Sequence, residues 1–376
     1  MKIPRLYDNL SPHLKENKVL LIYGPRQVGK TTLLLDYLNR SSLKYKIDSG
    51  DNIATHAVMG SQDIKAIQEY ASGYDLIAID EAQRIPHIGQ GLKILVDSVP
   101  GIKVIATGSS SFDLAGQVGE PLTGRKISLM LFPVSQLECK NIYNTYELKE
   151  KRNDFLVFGS YPEVVTSETR QEKIQLLEEL MNAYLLKDIL ELERVKNSKL
   201  LLDLLRLLAF QIGHEVSLNE LARQLGIDAK TVARYIDLFE KSFVLYNLRG
   251  FSRNLRKEVT KKSKFYFYDL GLRNAVIANF NDLPVRNDVG VLWENFLFME
   301  RIKKRSYANI IANAYFWRTW DKKEIDLIEE REGRLFGYEF KWNEAIKVHP
   351  PADWQSAYPD AEYHVITKDN YLEFIA

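Results

Sequence analysis

The sequence predicts an α/β chain built from several modules. In the first third, continuously apolar runs, VLLIYG at 19–24, LIAID at 76–80 and KVIATG at 103–108, alternate with helical stretches such as TTLLLDYLNR at 31–40. Strands that are apolar throughout are buried on both faces, as in a parallel sheet covered by helices. From 152 to 241 the periodicity becomes helical and includes the strongly apolar LLLDLLRLLAF at 200–210. Beyond it, aromatic β-type runs (FYFYD, 265–269), a helix WENFLFMERIKKR (293–305) and the stretches AYFWRTW, EIDLI and LFGYEFKW return the tail to α/β.

Composition bounds the chemistry. At roughly 150 residues per domain, 376 residues make two or three domains with room for a sizeable core. Lys and Arg number 51 against 50 Asp and Glu, so a strongly basic nucleic-acid coat is excluded but a local basic patch is not. The charge is unevenly spread: +2 over 1–130, +3 over 131–279 and −4 over 280–376, with seven basic residues against one acidic in 249–264. The single cysteine, Cys139, excludes a disulfide framework and any multi-cysteine zinc or iron–sulfur site. The six histidines are scattered, with no His-Glu-x-x-His spacing. The N-terminus lacks the apolar centre of a signal peptide, and no apolar run approaches a membrane span. The expectation is a cytoplasmic protein without a membrane partner.

The clearest motif is Gly24-Pro25-Arg26-Gln27-Val28-Gly29-Lys30-Thr31, which fits G-x-x-x-x-G-K-[ST] between a strand and a helix. Gly24 and Gly29 let the backbone curl so that successive N–H groups face a phosphate, and the dipole of the following helix favours the same charge. Lys30 is expected to bridge the outer phosphates of ATP and the Thr31 hydroxyl to ligate Mg²⁺, with Thr32 next in the helix. The strand at 76–80 ends in Asp80-Glu81. Ligands of open parallel sheets bind at the carboxyl edge of the strands. Asp80 is therefore expected to hold Mg²⁺ through a water, and Glu81 to orient or deprotonate the attacking water. The strand at 103–108 leads into hydroxyls, so Thr107 or Ser109 is a candidate sensor of the γ-phosphate. Arg125 is a candidate arginine finger, acting in cis or from a neighbouring subunit.

Together GPRQVGKTTLL, IDEAQ (79–83), TGSSS (107–111) and LTGRKISLMLFPVSQLE (122–138) resemble the AAA+-type ATPases of bacteria and archaea. More narrowly they resemble the group in which such a domain precedes a C-terminal region of unassigned function. The likeness continues through FGSYPEVV (158–165), YLLKDILEL (184–192) and KFYFYDLGLRNAV (264–276), across nearly the whole chain. It implies an ATP-binding module followed by a helical lid.

Residues 215–248, EVSLNELARQLGIDAKTVARYIDLFEKSFVLYNL, contain two amphipathic helices. The first ends at Gly226 and the second is capped by Asp228, a short turn that marks a helix–turn–helix. The β-type stretch and basic segment after them would make a wing, hence a winged-helix reading. Lys230, Thr231 and Arg234 on the second helix, with Arg253, Arg256, Lys257, Lys261 and Lys262 beyond it, are candidate contacts to DNA or RNA phosphates. Lys241, Arg249 and Lys264 belong to the same basic set. The competing reading is a structural or partner-docking module with a solvated basic loop.

In the tail, Asp326 lies on one short strand and Glu339 and Lys341 share a face of the next, with Glu294 on the upstream helix. Two carboxylates on adjacent strands can hold Mg²⁺, and a nearby lysine can stabilise charge developing on a phosphodiester. The arrangement resembles the PD-(D/E)XK nuclease fold, which assigns Asp326 and Glu339 as metal ligands, Lys341 as the lysine and Glu294 as the helical acid. Ile325 stands where that motif has proline. A degenerate copy used for binding or assembly remains the alternative.

The expected organisation is a P-loop AAA+-like parallel-sheet domain (1–150), a helical lid (151–200), a winged helix–turn–helix (201–270) and a restriction-endonuclease-like α/β domain (271–376). The expected function is a Mg²⁺-dependent ATPase whose nucleotide state positions nucleic-acid-binding modules, with a homo-oligomer left open. The alternatives are a nucleotide-switched protein-binding scaffold and an ATP-regulated nuclease.

Overall fold

The computed structural model describes residues 3–108, 121–183, 198–251, 263–319, 321–343 and 349–376. The chain divides into two units, one of Pro4–Pro133 with Lys241–Phe243, the other of Met1–Ile3, Val134–Glu240 and Val244–Ala376.

In the first unit five strands form one sheet in the order β2-β3-β4-β1-β5: β1 Val19–Tyr23, β2 Tyr45–Ser49, β3 Leu76–Asp80, β4 Lys103–Gly108 and β5 Lys126–Met130. Every neighbouring pair is parallel. Parallel strands need crossovers, and among the described residues four α-helices occupy the connections: α1 Lys30–Arg40, α2 Ile53–Met59, α3 Ile64–Ala71 and α4 Ile88–Ser98. Val19, Leu21, Ile77, Ile79, Val104 and Ala106 pack with Ile67 of α3 and Leu92 and Leu95 of α4. The intervening Leu20, Ile22, Ala78 and Ile105 are buried too, so both faces of the sheet are covered. Each Val, Leu or Ile among them contributes about 1.5–3 kcal/mol by leaving water. Asn52 and Asp63 cap α2 and α3, accepting hydrogen bonds from the first-turn N–H groups of Ala54 and of Lys65 and Ala66.

The second unit is built on a seven-stranded sheet in the order β12-β11-β10-β9-β7-β8-β6. Capping boxes at Ser135/Glu138 and Asn144/Glu147 start α5 (Gln136–Cys139) and α6 (Thr145–Phe158). Helices α7 (Pro162–Thr166), α8 (Arg170–Ala183) and α9 (Ser198–Phe210) come next. Then come β6 (Glu215–Val216), α10 (Leu218–Leu225), α11 (Ala229–Lys241), β7 (Leu245–Gly250) and β8 (Ser263–Phe267). Strand β8 pairs antiparallel with both β6 and β7. Helices α12 (Leu270–Val276) and α13 (Val289–Tyr307) lead to the meander β9 (Asn313–Arg318), β10 (Glu324–Arg331) and β11 (Arg334–Phe340). After α14 (Ala352–Ala357), β12 (Glu362–Ile366) joins β11 in parallel, and α15 (Tyr371–Ile375) ends the chain.

The boundary falls sixteen to seventeen residues before the expected 150, because Val134 N–H already bonds Ser160 O (2.8 Å) and the Ser135 capping box belongs to the second unit. The helical, helix–turn–helix and tail modules expected as three lie in one unit: β7 pairs with β9, which carries the sheet from the helix–turn–helix region into the tail. The stretch 158–165 shows why its residues are what they are. Asp269 Oδ2 accepts the Ser160 N–H at 2.6 Å, and Gly159 has φ +72°, where a Cβ would stand 2.0 Å from Asp269 Oδ1.

Several buried charges of this unit are paired. Arg301 makes a two-pronged bond to Glu329 (2.9 and 2.8 Å), and Lys303 bonds Glu300 (2.6 Å). Around Asp288, Arg273 donates at 2.6 Å and Arg286 at 2.8 Å to both oxygens. Burial pushes the Asp288 carboxyl up, but the two guanidiniums override it and hold the group down at about 2. The unfolded carboxylate takes up its proton at higher pH than the folded one. The stabilisation is therefore complete above about pH 4 and is lost as pH falls through about 2. Denaturant unfolding across this range should show an acid limb that Asp288→Asn flattens, with a lower stability at neutral pH.

Candidate nucleotide site and a second carboxylate cluster

All five strands of the first sheet are parallel, so the ends of β1, β3 and β4 open at one edge. Tyr23 is level with Gly108, and Ile79 with Ala106, which puts Asp80 beside Thr107. The phosphate loop leaves β1 at this edge. Gly24 has φ +148°, and a Cβ there would stand 2.1 Å from Leu131 O, so only glycine lets the loop run this close to the exit of β5. Gln27 and Gly29 also have positive φ, 56° and 93°, which turns the backbone N–H groups of the loop inward. Along the loop Pro25 and Val28 are buried, Arg26 is half-buried and Gln27 is exposed. Buried Arg5 tethers the loop from below, donating to Val28 O (2.6 Å) and Phe132 O (2.7 Å). Nothing in the motif at 24–31 points to Arg5; only the fold brings it there.

Lys30 is 4 % exposed, and its ammonium donates to Gly24 O (3.0 Å) and Pro25 O (2.6 Å), which keeps the cation on the loop. Thr31 Oγ1 donates to Asp80 Oδ2 at 2.8 Å, so a hydroxyl and a carboxylate meet where the loop becomes α1. Thr32 is exposed in the first turn of that helix. Fully buried Thr107 donates its hydroxyl to Asp80 Oδ1 and accepts the Glu81 N–H at 3.0 Å. Of the two hydroxyls considered for β4, Thr107 thus holds the acidic pair; Ser109 lies outside the described residues. Glu81 sits at φ 51°, and Gln83 donates to its Oε2 at 2.6 Å. Gln83 is part of IDEAQ, yet nothing in that run by itself marks it as a partner of Glu81. Oxygen donors of this kind suit a hard cation such as Mg²⁺.

Arg125 does not reach this edge in cis. Its carbonyl accepts the Val19 N–H, at the opposite end of β1, roughly 13 Å along the strand at ~3.3 Å per residue. Its half-exposed guanidinium bonds Asp97 at 2.6 Å.

The second unit gathers another set of charges. Asp326 lies where β10 shifts register between Ile325 and Ile328, and the pairing of Leu327 with Tyr338 continues to put Asp326 opposite Glu339. Asp326 Oδ2 accepts the Phe340 N–H at 2.8 Å, and Lys341 bonds Glu339 Oε1 at 2.5 Å. Glu294 of α13 accepts from Tyr266 OH (2.6 Å) and Lys264 (3.2 Å). Lys264 also bonds Glu324, which Arg318 approaches at 3.5 Å. Burial, then Glu294 and Glu339, push the Asp326 carboxyl well above the ordinary range. Burial raises Glu339 as well, against the pull of Lys341. For Lys264 burial acts the other way, but Glu294, Asp326 and Glu324 outweigh it and hold the ammonium charged.

All four residues expected at a nuclease-like site therefore converge, together with two that the sequence assigned elsewhere or passed over, Lys264 and Glu324. Lys264 is 1 % exposed and no part of a solvent-facing basic ribbon. Among the described residues, no group of three or more Asp, Glu, His or Cys is arranged to hold a metal ion. With the Lys264 ammonium between Glu294 and Glu324, the cluster does not fit bound Mg²⁺ as it stands.

Of the expected nucleic-acid contacts, Lys230 and Arg234 are exposed on α11. The Thr231 hydroxyl is committed to Asp228 at 2.7 Å. Arg253, Arg256, Lys257, Lys261 and Lys262 lie outside the described residues.

Comparison with known proteins agrees with the N-terminal geometry. Residues 16–140 match a family model described as an AAA domain. Residues 149–283 and 289–374 match two described as domains of unknown function, DUF8612 and DUF4143. An uncharacterized protein of Mycobacterium tuberculosis is 28% identical over 326 residues, covering 86% of this chain and 70% of its own. An uncharacterized protein of Haemophilus influenzae is 24% identical, covering 95% of this chain and 88% of its own. Among solved structures, a Walker-type ATPase of Pyrococcus abyssi aligns with 69% of this chain and 91% of its own, at 15% identity and a TM-score of 0.46. A signal-transduction ATPase with numerous domains from Pyrococcus horikoshii aligns with 81% of this chain and 47% of its own, at 14% identity and a TM-score of 0.28. Neither structural likeness is close enough to bear on activity. Residues 16–140 of the N-terminal unit are thus similar to an AAA domain, and they contain the phosphate loop described above. No helix among the described residues is long and apolar enough to cross a membrane.

Thr107→Val keeps the shape of the side chain and removes both of its hydrogen bonds. Steady-state ATP turnover should fall about 10–100-fold while nucleotide affinity changes little, because the hydroxyl acts on the acidic pair and not on the loop.

Proposed function

We propose that this protein hydrolyses ATP to ADP and phosphate with Mg²⁺ at the loop edge of the first sheet. The observation that carries the reading is the Asp80 carboxylate bonded by hydroxyls from two sides, Thr31 at the end of the phosphate loop and Thr107 of β4. The backbone from Gly24 to Lys30 cradles the phosphates, and Lys30 neutralises the outer ones. Thr31 and Asp80 hold Mg²⁺, which supplies charge neutralisation on the phosphate oxygens when bound. Glu81 orients the attacking water and takes its proton, with Gln83 and Thr107 setting its direction. Thr32, exposed in the first turn of α1, adds a further hydroxyl at this edge.

Lys30→Ala should abolish nucleotide binding and turnover. Glu81→Gln should bind ATP normally and lose about 10²-fold or more in kcat. Unchanged turnover in either variant removes the assignment.

The finer part of the proposal is that nucleotide state governs how the second unit engages nucleic acid. Its support is the order α9-β6-α10-α11-β7-β8, with β8 between β6 and β7, which is that of a winged helix carrying Lys230 and Arg234 outward. The Lys230→Ala/Arg234→Ala double variant should weaken DNA binding similarly for all sequences and reduce the salt slope by about 2. A protein with no salt-dependent DNA affinity, with or without ATP, would instead favour the protein-binding scaffold.

A further inference from the structure

We propose that Lys264 is the resident cation of the carboxylate cluster, and that its ammonium keeps a divalent metal ion from Asp326 and Glu339. Four carboxylates, those of Glu294, Glu324, Asp326 and Glu339, face two ammonium groups, Lys264 and Lys341. Lys341 serves Glu339 Oε1 and is partly exposed. Lys264 lies inside, on Glu294 and Glu324, with Phe316 against it at 5.4 Å. Its backbone cannot give way easily, because β8 is paired on both sides: Lys264 is level with Glu215 of β6 and Leu248 of β7.

The second observation is an oxygen. Glu339 is 8 % exposed, and its Oε2 is buried without a hydrogen-bond partner among the described residues. An orphaned carboxylate oxygen is costly to bury. It marks coordination capacity that the two ammonium groups leave unmet. Hard carboxylate oxygens of this kind suit Mg²⁺ or Mn²⁺, yet the like charge of a fixed ammonium within electrostatic reach of Asp326 opposes a dication there. The cluster is thus a site for a hard divalent cation that Lys264 closes. Withdrawing that one charge opens it.

The test is Mn²⁺ alone, titrated calorimetrically into the full chain, with the thermal midpoint as a second readout. The component that Asp326→Asn removes is the quantity compared, since it separates this cluster from any binding at the phosphate loop. Lys264→Met keeps an unbranched apolar stem against Phe316, and Lys264→Gln keeps hydrogen-bond donors for Glu294 and Glu324. Either should bind Mn²⁺ about tenfold or more tightly than wild type and rise in midpoint with the metal. Lys264→Arg, which retains the charge, should behave as wild type. Wild-type binding as tight as that of the neutral variants, and lost in Asp326→Asn, would show a metal site that Lys264 does not close. No Mn²⁺ binding in either neutral variant would show that the carboxylates form no metal site, and Lys264 would then be a structural ion pair only.

Discussion

The carboxylate of Asp80 is the point on which the N-terminal unit turns. It ends β3, yet its two oxygens are held by hydroxyls from other elements, Thr31 at the head of α1 and Thr107 on β4. A carboxylate gripped on both sides cannot wander, so the loop, the helix and two strand ends share one geometry. The grip depends on strand order. Because β4 lies between β1 and β3, Thr107 stands level with Asp80 and its hydroxyl also receives the Glu81 N–H. Any order of the same five strands that parted β3 from β4 would leave the acidic pair without that support.

The second unit handles charge differently. Where Arg301 meets Glu329, or Arg273 and Arg286 meet Asp288, the partners match in geometry, and the charges act as ties between elements. The cluster around Asp326 is not balanced in this way. It has more carboxylates than ammonium groups and leaves a buried oxygen of Glu339 without a partner among the described residues. Imbalance of that kind costs stability, which is why the cluster, rather than the matched pairs, is where a function is to be sought.

Much of the first site was legible in the chain. The loop at 24–31 and the acidic pair at 80–81 are local: consecutive residues whose chemistry depends on a turn and a strand end. Glu339 and Lys341 were readable for a related reason, since alternation along a strand puts both on one face without knowledge of the partner strands; Asp326 and the helical Glu294 were readable only through the resemblance to the PD-(D/E)XK motif. What escaped was long-range. Arg5 lies 23 residues from the Val28 carbonyl it holds. Lys264 reads as one more cation in a basic stretch, and only the pairing of β8 between β6 and β7 turns it inward onto Glu294, 30 residues away. Arg125 reads as a finger because arginine is the side chain that commonly neutralises transition-state charge at such sites, whereas β5 begins level with Val19, at the opposite end of β1.

The sequence by itself determined the loop that curls, the strands that are apolar on both faces and the residues able to carry phosphate and metal chemistry, because these depend on backbone freedom and side-chain type within a few residues. Only the tertiary structure decided which of those residues meet. Strand order put Thr107 against Asp80, and the parallel register of β5 with β1 left Arg125 at the opposite end of the sheet. The joining of β7 to β9 made one sheet of segments expected as separate modules. Burial then converted Lys264 from a surface charge into the cation of an acidic cluster. The physical reason is that a charge acquires its meaning from its neighbours and from the water it has lost, and neither is written in the order of the residues.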